Sequence, residues 1–81
     1  MSTQQTVIDI LTRTLQLGDR ADGFGAETPL LGELPEFDSM AVVTVITAVE
    51  EHFGIAVDDD EISAETFETV GSLTDFVDRH L

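Results

Sequence analysis

One run is bracketed at both ends and dictates what the rest of the chain must do. Asp38-Ser39 opens it and Gly54 closes it, and the residues between contain neither glycine nor proline. Asp is a strong helix N-cap, because its carboxylate accepts from backbone N–H groups that the first turn leaves unpaired. The Val, Ile and Thr content would suit a strand by local propensity. The run is about four turns long, however, with a cap before it and a left-handed stop at Gly54, which predicts a helix over 39–53. Val42, Val45, Ile46, Val49 and Phe53 then share one face as core. Met40, Val43, Thr44, Thr47 and Glu51 fall on the opposite face, either as a contact surface built around an adaptable Met or as residues covered by neighbouring loops.

If Asp38 caps, Ser39 takes the first helical position, with its hydroxyl near the positive end of the helix dipole. That end favours a phosphate ester, since free N–H groups and the macrodipole both stabilise negative charge. The same pair also reads as a helix cap and nothing more.

Helical spacing recurs on both sides of this run. Val7, Ile8, Ile10, Leu11 and Leu15 predict a helix over 3–17, opened by a Ser2/Gln5 capping box and stopped by Gly18. The stretch 18–37 has no sustained period and holds four glycines, Pro29 and Pro35. Phe24, Leu30, Leu31, Leu34 and Phe37 make it too apolar for a floppy linker, so it is expected to be a long ordered loop pinned to the core. After Gly54, the acidic run 58–61 fails as a calcium loop, because the sixth residue from Asp58 is Ser63 and no glycine lies nearby. Ser63 is expected to cap a short helix over 64–68, with Ile62 and Phe67 inward. Thr69 is expected to cap a last helix from about Val70, with Val70, Leu73, Phe76, Val77 and Leu81 keeping helical spacing to the end. These elements predict an all-α fold: a small four-helix bundle, three helices longer and one short, spanning 1–81 as one domain.

Composition excludes several classes of function. Seventeen acidic residues face three basic ones, with no lysine, for a formal net charge of −14. Nucleic acid and anionic membrane surfaces are therefore poor partners, and proteins with basic patches are good ones. Self-repulsion at this charge is expected to make added salt raise the melting temperature; a flat or falling trend would contradict this. No cysteine is present, which removes disulfides, thiolate nucleophiles and Cys-based zinc sites. No apolar run is long enough to span a bilayer, and the N-terminus lacks a basic-then-apolar leader, so the expected compartment is the cytoplasm and the expected state a monomer.

Catalytic machinery is missing as well. His52 lies about four helical turns from Ser39, beyond hydrogen-bond reach on one straight helix. Neither histidine has H-x-x-x-H metal spacing, and Gly23-Phe24-Gly25 lacks the lysine and context of a phosphate loop. The chain offers a helix-terminal serine and nothing to activate it, so chemistry at Ser39 is expected from another protein.

Three segments together carry a resemblance: Leu30-Leu31-Gly32 through Asp38-Ser39-Met40, then Glu50-Glu51-His52-Phe53-Gly54-Ile55, then Thr69-Val70-Gly71-Ser72-Leu73. Over nearly the whole chain the sequence resembles the acyl carrier proteins, whose motif is usually Asp-Ser-Leu where this chain has Asp-Ser-Met. The resemblance implies a phosphopantetheine arm on Ser39, attached from coenzyme A by a magnesium-dependent phosphopantetheinyl transferase, with Asp38 as the motif acid. It implies a non-enzymatic carrier that shuttles acyl or aminoacyl thioesters between a loading ligase and a downstream transferase with basic docking surfaces. Met40, Val43, Thr47, Glu50 and Glu51 fall where such carriers meet their partners, and the bundle core is where some members shelter an acyl chain. Fatty-acid carriers often have acids soon after the motif serine; here Ala41 and Thr44 stand there. The pattern is more similar to stand-alone bacterial carriers of the exosortase or exopolysaccharide type, or to peptidyl carrier domains. The competing readings are an acidic helical adaptor that binds a basic protein without a prosthetic group, and a small hydrolase using Ser39.

Overall fold

The computed structural model describes residues 2–30 and 38–81, and its core is built by three α-helices: α1 (Thr3–Leu15), α2 (Ser39–Phe53) and α3 (Val70–Arg79). α1 packs against both of the others. It contributes Val7, Ile8, Ile10 and Leu11 to a core completed by Val45, Ile46 and Val49 of α2 and by Val70, Leu73, Phe76 and Val77 of α3. Val42 and Phe53 of the expected α2 core face are partly buried against it. Among the described residues there is no strand, only an isolated antiparallel bridge between Pro29 and Thr69.

Sequence and structure part at the end of α1. The helix stops at Leu15, not Leu17, and Gln16 rather than Gly18 takes the left-handed cap position, with φ 56°. A non-glycine residue there costs about 1–2 kcal/mol. The early stop lets Leu17 turn into the core at 3 % exposure, a burial that stabilises by about 1.5–3 kcal/mol. Gly18, also left-handed at φ 57°, then begins a 3₁₀ turn, Gly18–Ala21. The Ser2/Gln5 box is half formed: Ser2 Oγ accepts from the Gln5 N–H at 3.1 Å, while the Gln5 side chain donates forward to Asp9 Oδ1 at 3.1 Å.

The fourth, short helix is a 3₁₀ turn, Ala64–Phe67, preceded by Ser63. It cannot lengthen into an α-helix because Thr69 must be extended, at φ −139°, to cap α3. That cap is reciprocal: Thr69 Oγ1 accepts from Ser72 N at 3.1 Å and Ser72 Oγ accepts from Thr69 N at 3.0 Å. At the other end, the helical spacing outruns the helix. α3 finishes at Arg79, and Leu81, beyond its last turn, is 65 % exposed.

Both connectors of α2 are fastened to α3. Before α2, residues 26–30 lie along the start of α3 through three backbone bonds: Gly71 N to Ala26 O at 2.8 Å, Val70 N to Thr28 O at 3.0 Å and Leu30 N to Glu68 O at 3.0 Å. A Cβ on Gly71 would meet Ala26 O at 2.8 Å, so the approach requires glycine. Leu30 is fully buried and Phe24 partly so; the other expected anchors, Leu31, Leu34 and Phe37, lie outside the described residues. After α2, residues 54–63 carry partly buried Ile55, Val57 and Ile62 onto the core and include a 3₁₀ turn, Asp59–Glu61.

Candidate functional site

The start of α2 is set by Asp38. Its Oδ1 accepts from the Ala41 N–H at 2.9 Å, and its carbonyl accepts from Val42 N at 3.0 Å. Asp38 is therefore the cap, and Ser39 is the first residue inside the helix. The neighbours on either side, Asp38 and Met40, are both exposed, Met40 by 72 %. Ala41, next along, is buried. Gly54 closes the helix as expected, left-handed at φ 68°, its N–H on Glu50 O at 2.9 Å.

The chain has four serines, and the other three are employed at caps. Ser2 Oγ accepts from Gln5 N, Ser63 Oγ lies 3.4 Å from Thr66 Oγ1, and Ser72 Oγ serves the Thr69 box while lying 3.0 Å from the Thr66 carbonyl. At α2 an aspartate does that work beside the serine. Helix N-termini present unpaired N–H groups and a positive dipole end, which suit a phosphate ester. An exposed corner and a hydroxyl-bearing first residue thus fit the phosphodiester end of a phosphopantetheine arm.

Along α2 the outward residues follow the spacing expected of them. Met40, Val43 (62 % exposed), Thr44, Thr47 and Glu51 are all exposed. Thr44 and Thr47 each donate the hydroxyl proton to their own helix, to Met40 O at 3.0 Å and Val43 O at 2.9 Å. That leaves a strip with little free polarity before Glu51. Glu50 is different: it is half-buried, and its Oε2 accepts from Val57 N at 2.8 Å across the turn. No local sequence signal marks that bond, since seven residues and a helix stop separate the two groups.

Beside α2, Val42, Ile62, Ser63, Ala64 and Phe67 line a groove of about 270 Å³. His52 is exposed on the last turn, edge-on to Phe53 at 5.0 Å. Among the described residues no three His, Asp or Glu side chains converge as a metal site, and no helix is long and apolar enough to cross a membrane.

Comparison with known proteins agrees with this geometry. Residues 5–77 match the family model described as a phosphopantetheine attachment site. Among solved structures, the chain is similar to a holo acyl carrier protein from Nitrosomonas europaea, determined by solution NMR. The two share 56 % identity at a TM-score of 0.90, over 98 % of this chain and 95 % of that one. The chain belongs to the acyl carrier protein family, defined by its phosphopantetheine attachment site.

Proposed function

We propose that Ser39 is the attachment residue of this carrier, and that the outward strip of α2 is where its partner enzymes dock. The observation that carries the first part is the division of labour at the start of α2. Asp38 supplies the cap, so Ser39 is not needed as one, whereas Ser2, Ser63 and Ser72 are each engaged at theirs. Asp38, the motif acid next to Ser39 in the chain, helps position the magnesium-dependent transferase at the serine. When attached, the arm supplies a terminal thiol that holds an acyl or aminoacyl group as a thioester, chemistry that no side chain of this cysteine-free sequence supplies.

The chain's own part is to present the acceptor at the start of α2 and to offer a docking face. Met40, Val43 and Thr47 form the apolar part of that face, with Glu51 as its exposed charge and Glu50 at its edge. The charge of −14 draws in partners with basic docking surfaces: a phosphopantetheinyl transferase, a loading ligase and a downstream acyl- or aminoacyl-transferase. Membership of the carrier family disfavours the adaptor without a prosthetic group.

The test is peptide mapping by fragmentation mass spectrometry after incubation with coenzyme A, magnesium and a broad-specificity transferase. The added mass is expected on Ser39. Its appearance on Ser2, Ser63 or Ser72, or on none while a known carrier is labelled in parallel, would overturn the assignment. For the docking face, Met40→Asp and Val43→Asp are expected to slow loading by partner enzymes with the fold intact. Unchanged rates in both would remove that face from the proposal.

A further inference from the structure

His80 sits where α3 ends, at 17 % side-chain exposure, and both of its ring nitrogens face oxygens. Nδ1 lies 2.9 Å from the Phe76 carbonyl and Nε2 lies 3.0 Å from Glu61 Oε1. A carbonyl oxygen and an ionised carboxylate can only accept. Both nitrogens must therefore donate, and only the imidazolium has two N–H groups; neutral histidine has one. One of the two bonds must break when the ring loses its proton.

The bond to Glu61 reaches far from α3. Glu61 Oε2 accepts from Asp58 N at 3.1 Å, so one carboxylate joins the end of α3 to the turn inside the connector 54–63. Ile62, the residue after Glu61, and Ser63 form one lip of the groove whose other walls include Val42 and Phe67. We propose that His80 is a proton-operated clasp: as imidazolium it fastens the connector 54–63, and with it that lip of the groove, to the end of α3, and as neutral imidazole it lets go.

The surroundings favour the charged ring. The Phe76 carbonyl, then Glu61, raise the His80 pKa above its ordinary value, against the desolvation and the nearby Arg79 charge that lower it. The Asp58 N–H, then His80, lower that of Glu61, with Arg79 adding to the effect. Among the described residues those are the charged groups that face the ring, Glu61 from the connector and Arg79 from α3 itself; the Phe76 ring lies 4.7 Å away between centroids, tilted by 44°.

The experiment is an NMR titration of the whole chain from acid to alkaline pH. It follows the His80 ring carbons and the backbone amides of Val57, Asp58 and Ile62, in the parent and in Glu61→Gln. In the parent, His80 is expected to titrate above 6.5, its ordinary value. The three amides should shift, and exchange faster with solvent, at that same midpoint. In Glu61→Gln the His80 midpoint should fall and the amides should no longer follow it. Parent amides with no inflection at the His80 midpoint, or a midpoint that Glu61→Gln leaves in place, would overturn the clasp. The reading needs no prosthetic arm, so it stands or falls apart from the assignment of Ser39.

Discussion

The connector before α2 meets the start of α3 through neutral backbone groups, while the connector after α2 meets the end of α3 through a carboxylate and an imidazole. The first fastening cannot titrate. It depends on shape: a glycine at position 71 that admits Ala26 O at 2.8 Å, and a leucine at position 30 driven fully into the core. The second depends on charge state at both of its partners. The two connectors adjoin opposite ends of α2. The first feeds toward Asp38 and Ser39, and the second edges the apolar groove. The first fastening is thus indifferent to pH, while the second, at the lip of the groove, is adjustable.

The largest effect expected from breaking this contrast is at Leu30. Leu30→Ala removes a fully buried side chain and should lower stability by about 2–5 kcal/mol, read as a shift in the urea midpoint. A loss near zero would mean that the 26–30 segment is held by its backbone bonds alone. Gly71→Ala comes next, at about 1–3 kcal/mol, because the added Cβ must displace the Ala26 carbonyl. Its cost should be the same at every pH where the protein folds; a cost that varies with pH would merge the two fastenings into one.

The smallest effect is at the clasp, and there pH decides it. Glu61 has a lowered pKa in the folded state, so its contribution is present above 4.5, its ordinary value, and is lost as pH falls through the lowered one. His80 has a raised pKa, so its contribution is complete below 6.5 and is lost as pH rises through the raised value. The melting-temperature difference between parent and Glu61→Gln should therefore be widest between 4.5 and 6.5 and narrow on both sides. A difference constant from acid to alkaline pH would contradict the account.

Features with local causes were legible in the sequence. Asp38 and Gly54 bound α2 where cap and stop chemistry put them, and Thr69 opens α3. The exposed strip of Met40, Val43, Thr47 and Glu51 follows from helical spacing once those ends are known. Features set by tertiary competition were not legible. α1 ends early because burying Leu17 outweighs a left-handed Gln16, and local propensity contains no term for that burial. Leu81 keeps the period of α3 but falls past its last turn. The bonds between Gly71 and Ala26, Glu50 and Val57, and His80 and Glu61 join groups brought together by the fold, with no repeating spacing to announce them.

The most direct test of the central claim is intact-protein mass before and after treatment with coenzyme A, magnesium and a phosphopantetheinyl transferase, in the parent and in Ser39→Ala. Ser39 is not the cap of α2, so the variant should keep its helical circular dichroism and melting temperature. The account predicts a gain of one phosphopantetheine in the parent and none in Ser39→Ala. A folded Ser39→Ala protein that still gains the arm would contradict it.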